Sequence, residues 1–421
     1  MKKILITGAG NLRNNGIYAM VISIYQNILK LRNDIKFYML SERKGEDSEI
    51  LKQTNISVID EHWFLKRKNK VSFILNVLCN VIYLFFSRYC QIESKYETLN
   101  VYKKCDLIID LSGDSISTDY GIMSLWQGLY RIYLGIIAQK KIILLAQTIG
   151  PFNDNMSIIL TKFVLNKVNK LVLREERSKN YLDSLKLKRS DILITTDNAF
   201  LLEPDYTSAK KVLIKENIIF DTNRVIGFSP SSIIFRWFKN SLSKQEKKKQ
   251  YISYLAKFID RLIEEYNYKV LFIPHVLLSY NNDLQICEDI YKELKNKDAV
   301  NIVNDYYNAA VLKAIMSKLK FVISFRMHAA IGALSMNIPV ICWSYNDKFE
   351  GIIGEKLGLS DYVIDIRQCN IKEGIKKLQI AIEKLESDFH EVRKLVKEKV
   401  ECEKNKVWEN IEIVISTLND E

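Results

Sequence analysis

Short apolar runs of strand length recur along this chain with amphipathic, helix-length stretches between them, and that alternation leaves few folds open. The runs are Ile4–Thr7, Phe37–Leu40, Leu107–Leu111, Ile142–Gln147, Leu171–Arg174 and Ile192–Thr195 in the first half. Val225–Ser229, Val270–Pro274, Phe321–Phe325, Pro339–Trp343 and Tyr362–Asp365 follow in the second. Strands apolar on both sides belong to parallel sheets covered by helices on both faces, so the class is α/β. The prolines fall at the edges of these runs and not inside a predicted helix, where a residue without an N–H would break the ladder. Patterning is weakest between Pro204 and Arg224, where we place the domain boundary. The expected organisation is an N-terminal domain over 1–205, a C-terminal domain over 206–370 and a helical tail over 371–421.

Composition narrows the partners. A chain of 421 residues exceeds one ordinary core and predicts two or three domains. With 48% hydrophobic and 27% charged residues it belongs to the soluble globular class. The net charge of +12 is carried by lysines scattered through helices, with no Arg-rich block among aromatics. Nucleic acid is therefore not the expected partner; small anions or an anionic membrane surface fit better. Seven cysteines without a C-x-x-C pair argue against a disulfide framework or a structural zinc site. The opening Met1-Lys-Lys-Ile-Leu-Ile-Thr-Gly is too short an apolar run for a signal peptide, so the expected compartment is the cytoplasm.

Val71–Ser87 breaks the pattern. It carries no charge, and Lys66, Arg67, Lys68 and Lys70 flank it on one side and Arg88 on the other. It falls short of the roughly 20 apolar residues a bilayer crossing takes. Ser72, Asn76, Asn80 and Ser87 share one helical face, with Tyr83 close by. Two readings stand: a helix buried against the sheet, or one lying peripherally on the inner face of a membrane.

Chemistry concentrates at the strand exits. Arg326 and His328 follow the run Phe321–Phe325, and Lys348 follows Pro339–Trp343. Arg174 ends an earlier run, and His275 ends Leu271-Phe-Ile-Pro. Ligands of open parallel sheets bind outside the carboxyl ends of strands, where helix N-termini favour anions, so this set suits a small phosphorylated or carboxylated substrate. The same Arg and His have a structural use, as helix caps or as partners of core acids. The first run ends in Gly8-Ala-Gly10-Asn11 and continues to Asn15-Gly16. Arg13 stands where a dinucleotide loop needs its third Gly, so only close backbone approach and amide donors remain. After Leu107–Leu111 comes a polar loop with Asp114, Ser115 and Asp119. It suits hydrogen bonds to sugar hydroxyls or a carboxylate base, and equally the capping of the next helix. No Walker loop, H-E-x-x-H, nucleophile elbow or Cys/His spacing is present, and we expect no metal and no cofactor.

Taken in order, these segments resemble the polysaccharide pyruvyl transferase family. The resemblance rests on the Gly/Asn loop, Ser112-Gly-Asp-Ser-Ile-Ser-Thr-Asp-Tyr-Gly121, Ala146-Gln-Thr-Ile-Gly-Pro-Phe152 and Arg174-Glu-Glu-Arg-Ser178. It continues through Thr196-Asp-Asn-Ala-Phe200, Ile273-Pro-His-Val276, Phe325-Arg-Met-His-Ala329 and Ser344-Tyr-Asn-Asp-Lys348. It departs at Ser112, Ile17 and Lys320, where Gly, an acid and Asp are common in the family. The resemblance implies a GT-B-like fold of two facing Rossmann-like domains. It also implies transfer of a pyruvyl group from phosphoenolpyruvate to a sugar of a surface polysaccharide or its precursor, forming a cyclic ketal. On that reading His328 and Asp114 are catalytic, and Arg326, Arg174, Lys348 and His275 bind the donor. Gly10, Asn11, Asn15, Ser115 and Asp119 would contact the acceptor. Two alternatives use the same fold: a nucleotide-sugar glycosyltransferase and a non-catalytic binding protein.

Overall fold

A computed structural model describes residues 1–61, 70–87, 93–220, 224–239 and 241–420, with 70–76 as backbone only. The chain forms two compact units. The first comprises 1–12, 20–198 and 405–421; the second comprises 13–19 and 199–404.

In the first unit the strands are β1 (Lys2–Thr7), β2 (Ile35–Ser41), β3 (Ile56–Asp60), β4 (Leu107–Asp110), β5 (Lys141–Gln147), β6 (Lys170–Leu173) and β7 (Ile192–Ile194). They pair in parallel in the order β3-β2-β1-β4-β5-β6-β7. The order reverses between β1 and β4, where Thr7 stands opposite Asp110. Ile4, Leu5, Ile6, Ile108, Ile109 and Leu144 are all buried, as strands covered on both faces require. The register of β5 against β6 shifts between Leu144 and Gln147, where Ala146 takes φ 55°. Such a bulge re-aims the side chains that follow it.

The second unit contains β8 (Val225–Ser229), β9 (Lys269–Phe272), a small antiparallel pair β10 (Leu277–Leu278) and β11 (Asn281–Asn282), β12 (Val300–Ile302), β13 (Val322–Ser324), β14 (Val340–Ser344) and β15 (Val363–Asp365). Its main sheet is again parallel, in the order β12-β9-β8-β13-β14-β15. Its reversal point lies between β8 and β13. Phe325 stacks on Trp343 with centroids 4.3 Å apart and meets Phe228 edge-on at 5.3 Å, fixing the floor beneath the strand exits.

Every expected run is a strand, with ends moved by a residue or two. β3, β12 and the two-residue strands β10 and β11 are additional. β3 and β12 are short edge strands of mixed burial, with Ser57, Asn301 and Ile302 half-buried and Asp60 exposed, so neither shows the apolar run that marks a central strand. The chain leaves the first unit after Asn198, and Arg13–Ala19 of the opening loop and helix counts with the second. The tail forms helices Ile371–Ser387 and Phe389–Asn419, whose last residues, from 405, belong to the first unit.

The described members of the polar stripe of helix Lys70–Phe86 and the residue after it face inward. Asn80 is buried and donates to Tyr130 Oη at 2.9 Å, and Ser87 is buried with its hydroxyl on Leu84 O. Lys66, Arg67, Lys68 and Arg88, expected to flank it, lie outside the described residues, as does the side chain of Lys70. Among the described residues no helix is long and apolar enough to cross a membrane.

The C-terminal helix is tied to the first sheet by one buried amide. Asn410 accepts from Thr195 Oγ1 at 2.6 Å and donates to Thr196 O at 3.1 Å and Asn198 Oδ1 at 2.8 Å. Removing it strands these groups without water, a loss of about 1–3 kcal/mol for each buried group left unmet. Asn410→Ala should therefore lower stability by roughly 3 kcal/mol in urea unfolding. An unchanged midpoint would show that the helix is not anchored there.

Candidate functional site

Ligands of doubly wound sheets sit outside the carboxyl ends of the strands at the reversal point. In the second unit the loops after β8, β9 and β13 converge on one carboxylate there. Arg326 leaves β13 in a tight turn, with Ser324 Oγ donating to its carbonyl at 2.7 Å. Its guanidinium grips Asp283 with two bonds, Nε to Oδ2 at 2.9 Å and Nη2 to Oδ1 at 2.6 Å. Nη2 also reaches Asn281 Oδ1 at 2.5 Å. Asp283 accepts in addition from Ser232 N and Val276 N, both at 2.9 Å. Arg326 is thus ion-paired as well as placed at a strand exit: its fork is oriented, and its charge is already compensated.

His275 and His328 lie on the same side. His275 is buried, and neither ring nitrogen has a hydrogen-bond partner among the described residues. Burial, and then the charges of His328 and Arg326, push its imidazole well below the usual value, so it is neutral. Its carbonyl accepts from Asn15 N at 3.1 Å, and Leu277 N donates to Arg13 O at 3.0 Å, which binds the Gly/Asn loop to this unit. Asn15 donates its side-chain amide to Tyr307 O at 3.0 Å. Gly16 lies directly against His328, where a Cβ would come 2.3 Å from Nδ1, so only glycine leaves room for that imidazole. His328 is half-buried in the first turn of helix Met327–Leu334, whose free N–H groups and positive end favour an anion. Lys348 is buried beyond β14, in the turn Asp347–Phe349.

The first unit carries its own polar exits. Arg174 is fully buried; Nη1 meets Asp197 at 2.7 Å and Nε donates to Thr148 Oγ1 at 2.8 Å, while Nη2 has no partner among the described residues. The neighbouring acid does not pair with it: Glu175 caps helix Glu176–Ser184 by accepting from Ser178 N at 2.8 Å. Asp110 accepts from Thr7 Oγ1 at 2.9 Å and Ser112 Oγ at 2.5 Å, and Gln147 donates to its carbonyl at 2.9 Å. Gly8, at φ 72°, lets the first loop pass so close to the β4 exit that a Cβ would touch Ser112 N at 2.7 Å. The loop from Ser112 to Gly121 is zipped to the one after β5, with Thr148 N donating to Gly113 O at 2.7 Å and Thr118 N to Pro151 O at 2.9 Å.

On this scaffold Asp114 accepts from Tyr120 Oη at 2.6 Å, Ser115 Oγ donates to Ser112 O, and Asp119 is exposed. Gly10 O accepts from Glu42 N at 3.0 Å. The residues proposed for the acceptor therefore divide: Gly10, Asn11, Ser115 and Asp119 belong to the first unit, and Asn15 to the second.

Three acids escaped the sequence reading. Asp283 follows Asn281-Asn282 and reads as an ordinary helix start, which it also is. Asp197 stood inside a quoted motif with no role, because its partner lies 23 residues earlier. Asp47 sits in a charged helical stretch, yet it accepts from Leu12 N at 3.0 Å and Ser41 Oγ at 2.5 Å, holding the first loop; burial pushes it up to about 6. Among the described residues no group of three or more His, Cys, Asp or Glu is arranged to hold a metal ion.

With this geometry in place, comparison with known proteins decides the family. The sequence profile described as "Polysaccharide pyruvyl transferase" matches residues 18–347. The chain belongs to this family. It is 22% identical over 414 residues to "Amylovoran biosynthesis protein AmsJ" of Erwinia amylovora, covering 94% of this chain and 96% of that one. Among solved structures it resembles UDP-GlcNAc 2-epimerase of Neisseria meningitidis bound to UDP-GlcNAc, with TM-score 0.63 at 12% identity and 99% of both chains covered. A glycosyltransferase from Rickettsia africae gives TM-score 0.56 at 13% identity, covering 100% of this chain and 99% of that one. At such identities the structural likeness is one of fold, and the fold of this pyruvyl transferase family member is GT-B-like.

Two measurements test the second unit's network. Asp283→Ala leaves Arg326 buried without its counter-charge and should lower stability by about 3–5 kcal/mol. Chemical unfolding would show it, and a loss under 1 kcal/mol would mean that Arg326 finds solvent instead. The second test uses pH. The unfolded chain protonates His275 near its ordinary value of about 6.5, the folded one only well below it. The stability this group contributes is complete above that value and is lost as pH falls through it. His275→Phe should therefore show a shallower loss of stability than the parent between roughly pH 6.5 and 5. Parallel curves would place the imidazole in contact with water.

Proposed function

We propose that the protein transfers the pyruvyl group of phosphoenolpyruvate to a sugar of a surface polysaccharide or its precursor, forming a cyclic ketal and releasing phosphate. The observation that carries this reading is His328, seated on Gly16 in the first turn of a helix at the reversal point, next to neutral His275 and the oriented fork of Arg326. Family membership and the relative named for amylovoran biosynthesis support it.

The chemistry asks for a proton on the methylene carbon of the donor, which makes C2 electrophilic. Two sugar hydroxyls then add to C2, phosphate leaves, and the two hydroxyl protons offset the one taken up by carbon and the one carried away with phosphate. His328, whose imidazole can both give and take a proton, is the proton donor in this reading. Arg326 and Lys348 present N–H groups to the donor's anionic oxygens, and Arg174 offers its open Nη2. Asp114 is the first unit's candidate base for a sugar hydroxyl. No cofactor takes part, and the donor places the reaction in the cytoplasm. If the acceptor is lipid-linked, the enzyme works against the inner membrane face.

Thermal shift against phosphoenolpyruvate, UDP-sugars and GDP-sugars separates this reading from a glycosyltransferase: the donor should stabilise the protein and nucleotide sugars should not, and the reverse overturns it. His328→Ala should keep the fold and lose phosphate release on the order of a hundred- to ten-thousand-fold. An active, folded His328→Ala protein would end the assignment. Arg174→Lys should recover only part of the donor affinity lost in Arg174→Ala, because a point charge cannot reproduce the guanidinium fork.

A further inference from the structure

Three helices of the first unit turn apolar side chains outward where surface helices normally carry charge. In helix Lys70–Phe86 the outward residues are Leu78, Ile82 and Phe86, exposed by 51%, 54% and 59%. They recur at i, i+4 and i+8, a continuous stripe on the side opposite buried Asn80 and Leu84. In helix Asn155–Leu165, Ile159 and Phe163 are 61% and 50% exposed, also four residues apart. Helix Ile122–Ile137 packs against both of them, through the Asn80–Tyr130 hydrogen bond on one side and the Tyr133–Phe163 ring contact at 6.1 Å on the other. The exposed side chains therefore form one neighbouring set, larger than the scattered apolar residues of an ordinary surface.

The charge pattern selects the occupant. None of these three helices contains an Asp or Glu, in a chain that has 50 of them. Their charged residues are all basic, Lys70, Arg131 and Lys162; of these Arg131 is buried against Glu61 and takes no part in the exposed face, and Lys162 donates to Leu185 O. By sequence the chain continues from one end of Lys70–Phe86 into Lys66, Arg67 and Lys68 and from the other into Arg88. A second copy of this face would bring apolar stripes together but would offer no acid from these helices to the cations that adjoin Lys70–Phe86 in sequence. A layer of anionic headgroups over acyl chains satisfies both features. We infer that this face docks on an anionic lipid bilayer, its apolar stripes entering the headgroup–acyl boundary. The inference does not depend on the identity of the donor; it places any lipid-linked acceptor within reach of the first unit.

Co-sedimentation of the full chain with vesicles tests it, using phosphatidylcholine alone and phosphatidylcholine with phosphatidylglycerol. The parent should bind the second far better than the first and release as salt rises. Ile82→Glu/Phe86→Glu and Ile159→Glu/Phe163→Glu should each lower the bound fraction by roughly tenfold or more, since each puts two carboxylates where acyl chains would lie. Ile82→Ser/Phe86→Ser, with a melting curve for every variant, guards against a folding effect. Failure of the parent to bind anionic vesicles at low salt would overturn the inference. So would binding untouched by both Glu pairs, and so would a parent dimer that the Glu pairs convert to monomer in light scattering, because a second copy would then be the occupant. None of these outcomes bears on phosphoenolpyruvate binding, which the thermal-shift panel reads separately.

Discussion

The carboxylate of Asp283 organises the second unit's strand exits. It takes two bonds from Arg326, one from the backbone after β8 and one from the backbone after β9, so a single side chain fixes the relative placement of three loops. Everything proposed for the site leans on that junction. The β9 loop carries His275 and holds Asn15, the Asn15 loop puts Gly16 under His328, and His328 follows Arg326 by two residues. A buried ion pair of this kind is weak as a source of net stability, because desolvation offsets much of the attraction. Its value is geometric: leaving either partner alone would be so costly that the loops have few other arrangements.

The fold was legible in the sequence because parallel strands buried on both faces must be apolar almost throughout. That signal is absent from the edge strands β3 and β12, which carry half-buried or exposed residues, and from the two-residue strands β10 and β11, and all four were missed. The cationic members of the site were legible because Arg326, His328, Arg174 and His275 stand where apolar runs end. Their partners were not. Asp283 lies 43 residues before Arg326 and Asp197 23 residues after Arg174, and each sits where an acid is unremarkable. Pairing across such distances is a property of the folded chain, and no local pattern encodes it. The Asn15–Gly16 turn shows the same limit. Next to Gly10 in sequence, it belongs with the second unit, because its backbone bonds run to His275 and Leu277.

Orientation was the least legible property. The stripe of Ser72, Asn76, Asn80 and Ser87 left two readings open, a helix buried against the sheet or one lying on a membrane face. Asn80 spends its amide on Tyr130, and Leu78, Ile82 and Phe86 point out. A helix with a narrow polar stripe has two ways to sit on a sheet, and its own sequence does not choose between them. The choice was made by the neighbour: Tyr130 offers a phenol oxygen that needs a partner in a place water does not reach.

The two units hold an arginine in the same way. In each, an arginine at a strand exit is buried, and an acid distant in sequence takes part of its guanidinium, Asp283 for Arg326 and Asp197 for Arg174. A guanidinium has five N–H donors, and an aspartate occupies at most two of them face to face. The rest stay aimed, as Arg174 Nη2 does. Such an arginine has lost most of its long-range field but none of its direction, so it would recognise a phosphate or carboxylate through short, oriented bonds. Long-range attraction must then come from elsewhere, and the scattered lysines behind the +12 charge can supply it without entering the site. On the proposed function, capture and recognition would fall to different residues. The first should weaken as salt rises, while the second, made of contacts shorter than any screening length, should not.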